Sequence, residues 1–261
     1  MNATARASEP MFEQILGIRF INASVGEAVD YSLRHRGYTV VPAAPALAQI
    51  DRDELYRRAL LEADLAIADS GFMVLLWRVL RGRRVARVSG LRYLLTLLER
   101  PLLREARVFF VLPTTVAREK TLHWLKQKVT ISEADTYIAP IYRDNVVDSS
   151  LVDILNQRQP EHVVVAIGGG TQEKLGWYLR EHLSYPPAIH CIGAALGFLT
   201  GDQPPIPLWA DRLYLGWLLR LLRQPRLFGP RYLGALRLPG LIWRFGDKVP
   251  VLVRSDTTAQ G

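Results

Sequence analysis

The chain has 261 residues, 49% of them apolar and 22% charged, enough for one large domain or two small ones. That balance excludes a disordered, collagen-like or disulfide-built protein. Its 33 basic and 25 acidic residues leave a net charge of +8, and seven of the basic ones (Arg212, Arg220, Arg223, Arg226, Arg231, Arg237, Arg244) lie between Arg212 and Gly246 with no Asp, Glu or Lys among them. The first 208 residues are accordingly read as a nearly neutral core, residues 209–246 as a cationic appendage rich in Leu and Trp, and residues 247–261 as a last strand and a frayed tail.

Glu9 and Glu13 fall where an export signal needs an unbroken apolar core, so a cytoplasmic location is expected. From there, short β-branched or apolar runs alternate with amphipathic helical patterns. Strands are expected at Gly37 to Val41, Asp64 to Ile67, Arg107 to Leu112, Thr136 to Ile138, His162 to Ile167 and Ala188 to Ile192. Helices are expected at Asp51 to Glu62, Gly71 to Leu80, Leu91 to Glu99, Thr115 to Lys128, Ser149 to Gln157 and Gln172 to His182. Such alternation predicts an α/β fold, a mostly parallel sheet with helices on both faces. The strands run into short loops of small residues, VPAAPAL, ADSG, LPTT, IGGGT and IGAALG, and ligands of open parallel sheets bind at those carboxyl ends. The longest uncharged run, between Glu181 and Asp202, is cut by Pro186 and Pro187. What is left is about a dozen residues against the roughly 20 a spanning helix needs, so any membrane contact is peripheral. A final run, Val249 to Val253, reads as a terminal strand.

Asp69 is the first candidate for chemistry. It ends an apolar strand and precedes a helix, with Ser70 and Gly71 forming a tight turn. A carboxylate there is partly withdrawn from water and suited to abstracting a proton, while the plainer reading makes it the cap of the helix. Arg87 follows eighteen positions later, beyond a helix and a basic turn. It could grip a diphosphate through paired N–H donors, or it could be a solvated arginine. The loop Gly168, Gly169, Gly170, Thr171 joins a strand to a helix start, where backbone N–H groups and the helix dipole favour an anion. It has neither the GxGxxG spacing of a dinucleotide fold nor the GK[ST] ending of a P-loop, so no nucleotide cofactor is expected.

Asp51 and Asp53 are spaced like a metal-binding Asp-x-Asp, yet they open the charged pattern DRDELYRR and are expected to cap that helix and pair with its arginines. The five histidines show no zinc spacing and the chain has no GxSxG elbow. No metal is expected, and the single Cys191 reads as a buried small hydrophobe. In the appendage Arg212, Arg220 and Arg223 share one helical face with leucines opposite. That pattern fits a helix lying on an anionic membrane surface, or a core helix with a solvated cationic face. No nucleic-acid recognition motif accompanies the arginines.

Taken together, ADL…DSG, ARVSG, the Gly loop followed by Gln172 and Glu173, IGAALGFLTGD and the set Pro207, Trp209, Trp217, Arg220, Pro225, Arg226, Arg231 and Tyr232 resemble the WecG/TagA/CpsF glycosyltransferases. The likeness extends from Ile15 to Tyr232. It implies a Rossmann-like fold and an inverting, metal-independent transfer of a sugar from a UDP-sugar to a lipid diphosphate-linked acceptor at the inner face of the cell membrane, and it leaves a homo-oligomer open. By resemblance, Asp69 is the general base and Arg87 steadies the leaving diphosphate. Gln172 and Glu173 match the pair at the helix start after the Gly loop, and Arg220, Arg226 and Arg231 match arginines that close over the site. The chain departs from the family pattern in reading Val41-Pro42-Ala43 for a Thr-x-Asn turn, Ser70 for a glycine and Gly170-Thr171 for Pro-Lys. Recognition of donor or acceptor near Ala43 and Thr171 is therefore expected to differ, and a family member that binds without catalysing is the alternative.

Overall fold

The computed structural model describes residues 11–126, 131–143, 145–193, 195–199, 221, 222, 226, 229 and 233–253. The strands are β1 (Phe12–Ile15), β2 (Ile18–Ile21), β3 (Tyr38–Val40), β4 (Leu65–Ala66), β5 (Val108–Leu112), β6 (Thr136–Ile138), β7 (His162–Val165) and β8 (Ala188–Cys191). They form one eight-stranded sheet in the order β1-β2-β4-β3-β8-β7-β5-β6. Every neighbouring pair is parallel except β1 with β2.

The central strands alternate faces residue by residue. Val163 and Val165 join one core and Val164 the other; Phe109 and Val111 go with the first, Phe110 and Leu112 with the second. Both faces are covered, which is why these runs read as continuously apolar. On the first face lie α2 (Ala44–Leu47), α3 (Glu54–Leu61), α4 (Gly71–Arg81), α8 (Ser149–Arg158), α9 (Thr171–His182) and α11 (Leu238–Phe245), through Leu47, Tyr56, Trp77, Leu155, Leu175 and Ile242. On the second lie α1 (Val25–His35), α5 (Gly90–Glu99), α7 (Thr115–Leu125) and α10 (Ala195–Leu199), through Val29, Leu94, Leu125 and Ala195. A short α6 (Pro101–Glu105) follows α5. Each Val, Leu or Ile among them, fully buried, contributes roughly 1.5 to 3 kcal/mol. The result is the three-layer, Rossmann-like α/β fold expected from the sequence.

Three elements at the start of the chain, β1, β2 and α1, were not expected. β1 and β2 form a hairpin around Leu16 and Gly17, whose φ values are 52° and 82°. Both central residues of this two-residue turn are left-handed, a conformation usually signalled by Asn-Gly. Here Leu16 is fully buried, and Leu16 and Gly17 donate their N–H groups to the carbonyls of Gly246 and Asp247. α1 begins at a capping box: Ser24 accepts from the N–H of Glu27, whose carboxylate reaches back to the Ser24 N–H.

The expected terminal strand over Val249 to Val253 does not form. The segment makes single hydrogen bonds instead, Val253 N–H to the Asp51 carbonyl and the Pro250 carbonyl from Arg57. Pro250 has no N–H to give a ladder, and Val251 and Val253 stay exposed. Residues 233–246 of the proposed appendage are seated on the core, with Ala235, Leu238, Leu241 and Ile242 buried in its first cluster.

Candidate functional site

The site is assembled where the loops after β3 and β8 part company. α2, after β3, packs in the first cluster through Ala44 and Leu47; α10, after β8, packs in the second through Ala195 and Leu196. Adjacent parallel strands whose loops leave toward opposite faces open a crevice at their carboxyl ends. Ala43 and Gly193 stand on its two lips.

Asp69 lies three residues past β4. Its helix is capped by Ser70, whose side chain accepts the Met73 N–H at 3.3 Å, so the cap reading of Asp69 is displaced by its neighbour. Its side chain is 44% exposed and its Oδ1 lies 3.8 Å from an Nη of Arg87. Arg87 is not a solvated arginine: its side chain is 16% exposed, and its Nε donates to the Asp69 carbonyl at 2.8 Å. The same stretch is fixed by the Val88 N–H, which donates to the Ala68 carbonyl. Beside Asp69 stands the first residue of α5. A Cβ on Gly90 would meet the Ile192 carbonyl at 3.2 Å, Val41 Cγ1 at 3.4 Å and Asp69 Oδ2 at 3.9 Å. The ends of β3, β4 and β8 thus converge on the N-terminus of α5, whose partial positive charge faces this corner. Gly90 was missed from sequence; the Ser89-Gly90 pair opening a helical pattern was its only signal.

Across the crevice runs the loop before α9. Gly168 and Gly170 have φ of 117° and 93°, conformations that suit glycine alone, and Gly169 is exposed. A Cβ on Gly169 would touch the Ala43 Cβ at 3.4 Å, so the two segments expected to differ in recognition, around Ala43 and Thr171, face each other. The Gly170 N–H is turned inward, donating to Glu173 Oε2 at 2.6 Å. An anion here would therefore be held by other donors of the loop and the first turn of α9.

Gln172 and Glu173 are fully buried. The Gln172 amide donates to Glu173 Oε1 at 3.1 Å and to the Cys191 carbonyl at 3.3 Å, and its oxygen accepts the Gly193 N–H at 2.7 Å. This pair joins the glycine loop after β7 to the turn after β8 from underneath. Tyr38 donates to the Glu173 carbonyl, and burial pushes the Glu173 carboxyl up to about 7 despite the hydrogen bonds that favour its ionised form. Sequence reasoning found both residues but not the direction in which they point, since nothing in TQE marks them as buried.

The remaining candidates resolve as follows. Asp53 caps α3 through the Tyr56 N–H and pairs with Lys174, while Asp51 is held by both N–H groups of one Arg237 nitrogen at 2.7 and 3.1 Å. Their partners are not the arginines of their own helix, as the sequence suggested, but cations from α9 and the C-terminal segment. Cys191 is buried, its thiol pushed up by burial. Arg220 and Arg231 lie outside the described residues, and Arg226 is exposed in a helical turn. Among the described residues no helix is long and apolar enough to cross a membrane.

A model of the glycosyl transferase WecG/TagA/CpsF family matches residues 13–250. The chain belongs to this family. It is 25% identical over 221 residues, 82% of this chain and 84% of the relative, to the N-acetylglucosaminyldiphosphoundecaprenol N-acetyl-beta-D-mannosaminyltransferase of Bacillus subtilis (strain 168). The protein of the same name from Bacillus spizizenii (strain ATCC 23059 / NRRL B-14472 / W23) is 24% identical over 197 residues, 75% of either chain. In this WecG/TagA/CpsF family member the candidates Asp69, Arg87 and the Gln172-Glu173 pair lie at the carboxyl edge of the four central strands.

Proposed function

We propose that the protein transfers a sugar from a UDP-sugar to an N-acetylglucosamine-type acceptor carried on a lipid diphosphate, in the synthesis of a wall polymer or related surface polysaccharide. The observation that carries this reading is the Asp69–Arg87 corner at the start of α5, facing the glycine loop across the β3/β8 crevice, in a chain of this family. The acceptor hydroxyl gives its proton to Asp69 as its oxygen forms the new bond to the anomeric carbon. The bond from that carbon to the diphosphate oxygen breaks on the opposite face, UDP leaves, and configuration inverts. Arg87, the N–H groups of the Gly168–Thr171 loop, and Arg220, Arg226 and Arg231 stabilise the charge that develops on the diphosphate, an electrostatic role worth roughly 3 to 4 kcal/mol per well-placed donor. Metal-free transfer is part of this reading, as is work at the inner face of the membrane, where a lipid-linked acceptor is presented.

Ala43, which bears no polar group where the family pattern has one, lies against Gly169. It supports a donor or acceptor contact altered from that of the family pattern. The deciding experiment offers the protein a panel of UDP-sugars with a lipid diphosphate-N-acetylglucosamine acceptor and reads the product by mass. One donor is expected to add a single sugar. If the protein binds the acceptor but turns over no donor, it is a binding member of the family and the catalytic reading fails.

A further inference from the structure

The glycine loop does not offer all of its donors to an incoming anion. The Gly170 N–H is taken by Glu173 Oε2 at 2.6 Å, and the other oxygen of that carboxyl accepts from the Gln172 amide at 3.1 Å. Glu173 stands in the first turn of α9 and is fully buried. Ionised, it sets a negative charge under the loop and against the positive end of the helix, the two features that favour an anion there. Protonated, it sets none.

The groups around it leave that charge uncompensated. Its neighbour Lys174 is paired with Asp53, which caps α3. From α3 the buried Tyr56 stands within electrostatic reach, and its hydroxyl has no hydrogen-bond partner among the described residues. From β3, Tyr38 donates to the Glu173 carbonyl, and from β8 the Cys191 thiol donates to the Gln172 carbonyl at 3.1 Å. Burial holds Tyr38, Tyr56 and Cys191 in their neutral forms. On the side of α2, a Cβ on Gly170 would stand 3.8 Å from Ala46, and that helix brings no charge. His190 of β8 is turned to the other face, where it meets Tyr93 and His162, and His182 is bonded to the Tyr178 carbonyl in the last turn of α9. Asp69 and Arg87 lie across the crevice. Burial meanwhile pushes the Glu173 carboxyl up to about 7, so its charge changes within the physiological range.

We propose that Glu173 is a positioning residue that couples donor binding to a proton: the loop takes the diphosphate of a UDP-sugar when Glu173 is protonated, and binding draws a proton from solvent onto this carboxyl. The proton returns to solvent when UDP leaves, and no bond of the substrate is touched. This rests on the reading of the loop as the diphosphate site, and adds what regulates that site. A diphosphate bound on the outer side of the loop is a like charge about 6 Å from the carboxyl, enough in a buried setting to raise its proton affinity about tenfold. The donor-bound form then keeps its proton to a higher pH than the free form. Binding therefore takes up protons, and affinity falls as pH rises.

The test is calorimetric titration of the full chain with UDP-N-acetylglucosamine and with UDP-glucose, whose diphosphates carry no proton that titrates between pH 6 and 8.5. Compared in MOPS and in Tris at pH 7.5, wild type is expected to take up about half a proton per donor bound, and its affinity should fall roughly sevenfold from pH 6 to 8.5. Glu173→Gln keeps an oxygen for the Gly170 N–H but carries no charge. It should bind like wild type at pH 6, about sevenfold more tightly than wild type at pH 8.5, and without proton uptake. A residue that only caps the helix would leave the variant equal or weaker at every pH. The proposal is overturned if wild type binds either sugar nucleotide without proton uptake, if its affinity is flat across this range, or if Glu173→Gln keeps the wild-type pH dependence. Should the variant not fold, the proton count of wild type decides alone. Absence of binding at every pH refutes the proposed donor itself, and the coupling with it.

Discussion

Replacing Glu173 with Gln removes a carboxyl that burial holds partly protonated at neutral pH, and the effect can be read from stability against pH. Its value in the folded chain is about 7 against an ordinary 4.5, because burial disfavours the charged form. A raised value means that the folded state retains a proton the unfolded chain has lost. The associated stability is fully present below pH 4.5 and is lost as pH rises through 7. The gap corresponds to roughly 3 kcal/mol. His162 runs the other way: burial lowers it from 6.5 to about 4, so its contribution is present above pH 6.5 and is lost as pH falls toward 4, again on the order of 3 kcal/mol. His190, hydrogen-bonded to His162 at 3.1 Å and to Tyr93 at 3.0 Å, is lowered in the same sense. In the native protein the two trends oppose each other between about pH 7 and 4.5. Urea denaturation of wild type and Glu173→Gln at pH 8 and pH 4.5 should show wild type gaining roughly 3 kcal/mol on the variant as pH falls, with the acid loss from the histidines uncovered in the variant. Stability curves that run parallel across this range would refute the claim that Glu173 is protonated in the fold near neutral pH.

Asp69→Asn should lower the turnover number by about 10² to 10⁴ while stabilisation by UDP in a melting assay stays near that of wild type; a variant keeping most of its turnover removes Asp69 as the base. Arg237→Ala strips the ion pair from a carboxylate, Asp51, that is buried. Because Arg237 is itself partly solvated, a loss of about 2 to 3 kcal/mol is expected in denaturant, together with faster proteolysis of the segment after Ala235. Gly176→Ala should cost about 1 to 3 kcal/mol, since its Cβ would be driven into Cys191 Sγ and to 2.6 Å from the Tyr38 ring; an unchanged denaturation midpoint would mean that α9 and β3 are packed less closely than the structure shows.

The six strands read from the sequence appear at those positions; five are apolar runs buried on both sheet faces, and β6, half-buried at the sheet edge, is bounded by turn residues. The hairpin of β1 and β2 was not legible. Its left-handed turn is stabilised by hydrogen bonds from Leu16 to Gly246 and from Gly17 to Asp247, more than two hundred residues away, and no local signal reports such a partner. The terminal strand failed for the opposite reason, a local pattern with no free edge hydrogen-bonded to it.

At the site, the sequence supplied the candidate residues. An acid after a strand, an arginine eighteen residues on, and a glycine loop before a helix are local features that can be read one at a time from the chain. What the chain order could not contain is who faces whom. The parallel pairing of β3 with β8 and of β8 with β7 sets Ala43 against the glycine loop, and the seating of α5 over these strand ends brings Gly90 to Asp69. The charge follows the same division. Composition fixed +8 and the cluster of arginines after Arg212, but the packing of the C-terminal segment on the core decided that Arg237 meets Asp51, 186 residues away. Adjacency of that kind is a property of non-local hydrophobic burial, and no window of sequence encodes it.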